Sequence, residues 1–123
     1  MYRPTKNLSQ IQDDYLEREV FETAATHEAQ ARFKAGLKKE GYNSVEAMME
    51  ALRGEAEDDL ESQSADMELE AEELRFQATN PTLSPEKSFE LLVQAIEVEE
   101  TINVFNIVLA ELYAIRERNQ YGD

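Results

Sequence analysis

Cysteine and tryptophan are absent from this 123-residue chain, and histidine occurs once. Without cysteine there can be no disulfide and no thiolate metal site. Four glycines and three prolines are a poor supply for loop-rich β architecture and a good one for long helices. No run of 18 or more apolar residues occurs, so no segment is expected to span a membrane. The opening stretch, residues 1–14, lacks the apolar core of a signal peptide, and a cytoplasmic location is the expectation. Basic residues are also scarce, 12 against 27 acidic ones, for a formal net charge of -15. Such a charge opposes direct contact with nucleic acid or an anionic membrane and favours basic protein surfaces. Solubility is a competing use of the same charge.

Helix-forming residues fill most of the chain. Residues 1–8 read as a loose arm and 119–123 as a frayed tail, with one helical domain over 1–123. Ser9 and Gln12 suggest a capping box opening a helix from Gln10 to about Lys39. Its imperfect three-four row is read through Ile11, Tyr15, Val20 or Phe21, Ala24, Ala25, Glu28, Ala31, Ala35 and Lys38, widened by Leu16, Phe33 and Leu37. Alanines at 24, 25, 29, 31 and 35 would let another helix approach closely. Lys38 and Lys39 suit the negative end, and Gly41 a left-handed stop.

Asn43 and Glu46 suggest a second capping box, with a helix beginning near Ser44. Its seam starts at Val45, Met48, Met49, Leu52 and Ala56. It continues through Leu60, Ser64, Met67, Ala71, Leu74 and Ala78 at alternating spacings of four and three. The triplet Ser62–Ser64 is the place where this helix would break. Pro81 ends it. Ser84 and Pro85 then mark the start of a last helix running to about Arg118. On a helical wheel Val98, Ile102, Phe105, Leu109 and Leu112 form its centre, flanked by Val104, Val108 and Ile115. Phe89, Leu92, Val93 and Ile96 point elsewhere, as an additional core face or an oligomer interface would. The expected fold is all-α: an antiparallel bundle of three long helices, or four if the middle one breaks near 62–64.

The strongest feature is a run of ten acidic residues with no basic one. It comprises Glu55, Glu57, Asp58, Asp59, Glu61, Asp66, Glu68, Glu70, Glu72 and Glu73, flanked by Arg53 and Arg75. Like charges three and four apart cost a helix a few tenths of a kcal/mol per pair. Interspersed lysines would have given solubility without that cost. A carboxylate on every second helical residue rises about 3 Å, comparable to the roughly 3.4 Å per nucleotide of one B-DNA strand. These ten residues are therefore the candidate partner-binding face.

Chemistry is harder to find. A Ser-His-Asp triad could use only His27, which lies beside an alanine-rich face and reads as partly buried or capping-like. A ferritin-like di-iron centre needs two Glu-x-x-His motifs, and none is present. A cage of Glu22, Glu28, Glu97 and Glu100 is the residual metal option, with heads in solvent as the simpler reading. No calcium loop and no Gly-rich phosphate loop occurs. No catalytic residue, metal or cofactor is therefore assigned, and an enzyme is not expected.

Two functions remain. One is binding, and thereby inhibition, of a basic protein, or of a nucleic-acid-binding complex by nucleic-acid mimicry. Small size and charge make the chain similar in character to phage or mobile-element proteins that block host defence complexes this way. That likeness concerns charge alone and carries over no residues. The other is a scaffold or assembly adaptor acting as a homodimer through Phe89, Leu92, Val93 and Ile96, its acidic face serving only solubility.

Overall fold

The computed structural model describes residues 8–120, with side chains from Arg18 to Gln120. The expected arm up to residue 7 and the last three residues of the tail lie outside the described residues. Four helices occur in order: α1 Leu8–Lys39, α2 Val45–Arg53, α3 Glu57–Ala78 and α4 Pro85–Gln120. The chain is an all-α bundle. Among the described residues there is no strand, and no helix is long and apolar enough to cross a membrane.

The helix boundaries follow from capping chemistry. Gly41 has φ 91° and closes α1. The Tyr42 N–H donates to the Leu37 carbonyl at 2.8 Å and the Gly41 N–H to the Lys38 carbonyl at 3.0 Å, which satisfies two orphan carbonyls. Ser44, rather than Asn43, caps α2; its hydroxyl accepts from the Ala47 N–H. Ser84 caps α4 in the same way, accepting from the Lys87 N–H at 3.1 Å. Leu8, the end of the expected arm, and Ser9 lie inside α1 instead of before it, and Asn119 and Gln120 extend α4 into the expected tail.

The middle region breaks at 54–56, not at Ser62–Ser64. The N–H groups of Gly54 and Glu55 fold back onto the carbonyls of Ala51 and Leu52, and Ala56 is extended. Glu57, Asp58 and Asp59 then fill the first turn of α3, where carboxylates face the positive helix end. The front of the acidic run is thus also a helix start. Ser64 stays helical because it faces α4. It is buried, and its hydroxyl donates to Asn106 Oδ1 at 3.2 Å.

The break also moves the chain reversal. Phe21 packs edge-on against Phe89 at 5.4 Å, while Leu37 lies with Glu97 and Thr101. Therefore α1 runs in the same direction as α4. Helix α2 continues that way, from Met48 beside Thr101 to Arg53 bonded to Glu111. Helix α3 returns: Glu57 meets Arg116 and Arg75 meets Glu99. The path is up through α1 and α2, down α3 and up α4, with the turn at 54–56 rather than 40–43.

Helix α4 is central, as its apolar breadth suggests. One cluster joins Met49, Leu52 and Leu60 to Val104, Phe105, Val108 and Leu109. The other joins Ala25 and Ala29 to Leu92, Val93 and Ile96, with Phe21 and Phe89 packed against it. The suggested oligomer face is therefore filled from within the chain: Val93 is wholly buried, Leu92 and Ile96 nearly so, and Phe89 meets Phe21. At the far end of α4, Ile115 is exposed instead of flanking the core. On α1 the inward row is Phe21, Ala25, Ala29, Phe33 and Leu37, with the two phenylalanines half-buried and the other three buried, a ridge at strict i+4 spacing. Val20, Ala24, Ala31 and Ala35 lie outside it and are exposed.

One arginine from each of the other helices reaches a glutamate on α4. Arg32 holds Glu90 through two bonds of 2.7 and 2.8 Å. Arg53 holds Glu111 at 2.8 and 3.2 Å, and Arg75 holds Glu99 at 2.6 and 2.7 Å. These forks fix the register of each helix on α4. Arg32, with Gln94, pulls the Glu90 carboxyl from its ordinary 4.5 down to about 2. A depressed carboxylate stabilises the fold above its unfolded pKa and loses that contribution as pH falls through the folded one. The Glu90 contribution should therefore be intact above about pH 4.5 and disappear toward pH 2. Carbon-detected NMR should place its midpoint near 2, and Arg32→Ala should return it toward the ordinary range. A midpoint near 4.5 in the unmodified protein would contradict the fork.

Candidate functional site

Helix α3 lays one seam on α4. Leu60, Ser64 and Ala71 are buried, and Met67, Leu74 and Ala78 half-buried, as the spacing predicts. The opposite side of the helix necessarily faces outward. The ten acidic residues divide accordingly into three sets.

The first set serves the fold. Glu57 is half-buried and accepts from Arg116 at 2.6 Å. Glu61 accepts from the Tyr113 hydroxyl at 2.6 Å. That hydrogen bond, followed by desolvation, raises the Tyr113 pKa. Arg116 also sits 5.1 Å from the Tyr113 ring centre, so Glu57, Glu61, Tyr113 and Arg116 pin the start of α3 to the end of α4. The second set makes only local polar contacts: Glu55, before α3 begins, accepts from Gln63, and Glu73 accepts from Gln77.

The third set is Asp58, Asp59, Asp66, Glu68, Glu70 and Glu72. All six are exposed, and among the described residues none has a cation within ion-pair distance. The cations flanking the run cannot neutralise them, because Arg53 and Arg75 both turn inward to α4. At about 100° per residue, the outward carboxylates form two rows, with Asp58 alone on the line between them. Glu61, Glu68 and Glu72 lie on one side; Asp59, Asp66, Glu70 and Glu73 lie on the other.

Between these rows stand two residues that the sequence reading passed over. Leu69 is 67% exposed and Phe76 is 74% exposed. They are seven residues apart, hence on one side of the helix, and opposite the buried seam. Their signal was available, since both are out of phase with Leu60, Met67, Ala71 and Leu74. Beside Phe76, the turn between α3 and α4 borders an open hollow of about 540 Å³ lined by Pro81, Leu83 and Leu91 together with Glu73 and Lys87.

Elsewhere the chemistry stays dispersed. His27 is exposed, not partly buried, because the buried ridge passes through Ala25 and Ala29. Glu28 is taken by Arg32. Glu22, Glu28, Glu97 and Glu100 do not converge, and among the described residues no three acidic or histidine side chains are grouped to hold a metal ion. No protein-family model, curated protein or solved structure matches the chain.

Proposed function

We propose that this chain is a non-catalytic binding protein that docks on a basic protein surface through the outer face of α3. By occupying a surface that would otherwise meet nucleic acid, it acts as an inhibitor. What supports the reading is the arrangement of charge: six exposed carboxylates that have no cation partner among the described residues, on a helix whose flanking arginines are committed to α4. A protein using acidity only to stay dispersed gains nothing from keeping cations off one face of a helix. A rigid negative face speeds encounter with a positive surface and repels wrong partners.

The experiment is affinity capture from native cells after nuclease treatment, comparing the natural chain with a D58N/D66N/E68Q/E70Q/E72Q variant. Glu57 and Glu61 are left alone because they hold α4. The natural chain should retain a basic protein that 0.5 M salt releases. Duplex DNA should compete with the complex, and the variant should lose at least ten-fold in affinity. Equal capture by the variant would remove this face as the site.

A further inference from the structure

We infer that the surface α3 fits is a cationic amphipathic helix, whose apolar side chains seat on Leu69 and Phe76. The inference rests on the reading above and adds the chemical form of the partner. Its starting point is apolar. Leu69 and Phe76 are among the most exposed large hydrophobic side chains, and among the described residues nothing packs over them. Seven residues of helix place them about 10 Å apart along the axis. A second helix laid alongside presents apolar side chains at that same repeat, through its own i and i+7 positions.

The continuation of this line leads to the hollow bounded by Phe76, Pro81, Leu83 and Leu91. It offers room for one apolar side chain at the end of such a segment.

Charge selects the sign of the occupant. On one side of the apolar line lie Glu68 and Glu72, on the other Asp66 and Glu70, all exposed. A partner helix with lysines or arginines flanking its apolar positions meets carboxylates on both sides. An anionic or neutral helix does not. A nucleic-acid-binding helix that carries apolar side chains uses both features, whereas a groove lined by lysine and arginine alone has no use for a leucine and a phenylalanine placed between the charge rows.

The test uses two synthetic 18-residue peptides of equal positive charge. One is a helical Leu/Lys peptide with leucines at heptad spacing; the other has serine in place of each leucine. The natural chain should bind the leucine peptide at least ten-fold more tightly. L69S/F76S should erase that difference while leaving affinity for the serine peptide unchanged. Both replaced side chains are exposed, and an unchanged thermal midpoint would show that the fold is kept. If the natural chain binds both peptides equally, or L69S/F76S changes neither, the amphipathic-helix inference falls and a purely electrostatic face stands. If neither peptide binds at physiological salt, the inference and the acidic-face reading both fall.

Discussion

Leu60→Ala is expected to cost about 2–5 kcal/mol of unfolding free energy and to lower the thermal midpoint by on the order of 10 °C. Leu60 is wholly buried where α2, α3 and α4 meet, against Met49, Leu52, Phe105 and Val108. Its importance comes from how little else α3 buries. The other buried seam residues are Ser64 and Ala71, too small to relax into a cavity left by a leucine. A cavity that cannot collapse gives losses toward the upper part of the range. Leu69→Ala removes the same side chain from the opposite side of the helix and should fall within about 0.5 kcal/mol of the natural chain. Denaturant unfolding of the pair measures the contrast. A loss below 1 kcal/mol for Leu60→Ala would mean that α3 is anchored elsewhere.

That contrast also marks what could be read without coordinates. The α3 seam was legible from Leu60 to Ala78 because a helix packed on one neighbour repeats its contacts at three and four. Ser84–Pro85 and Gly41 were legible because capping is local chemistry. The break at 54–56 was not. Gly54 ends α2 with an ordinary right-handed backbone, φ -84°, so nothing about it demanded glycine. The helix start was hidden in Glu57, Asp58 and Asp59, which read as charge rather than as first-turn residues.

The candidate site was half legible for a related reason. Sequence shows that ten carboxylates are consecutive in character, but not which have partners. Glu57 and Glu61 are drawn to Arg116 and Tyr113, residues more than fifty positions away. Phe89, Leu92, Val93 and Ile96 pose the same difficulty. A wheel shows that they need cover, and cannot distinguish α1 of the same chain from a second copy. Cover from α1 depends on two small residues, Ala25 and Ala29, which only the i+4 row through Phe21, Phe33 and Leu37 separates from Ala24, Ala31 and Ala35.

Enlarging those two residues should therefore separate α1 from α4. Ala25→Leu and Ala29→Leu are each expected to cost about 1–3 kcal/mol by overpacking. Both alanines are wholly buried and share Leu92, Val93 and Ile96 as neighbours, so the double variant should not be additive. The added atoms must push the helices apart, and Arg32 should then lose its two bonds to Glu90. Hydrogen exchange should show faster opening of α1 amides first, because α3 and α4 retain their own cluster around Leu60. The Glu90 midpoint should rise in the same variant, an independent sign that the fork has opened. Ala24→Leu and Ala31→Leu, both at exposed positions, should leave exchange and midpoint unchanged. Uniform acceleration across all four helices would show instead that α1 and the α3–α4 pair open as one unit. If α1 opens alone, the outer face of α3 stays intact, and binding through it should survive a change that loosens a third of the fold.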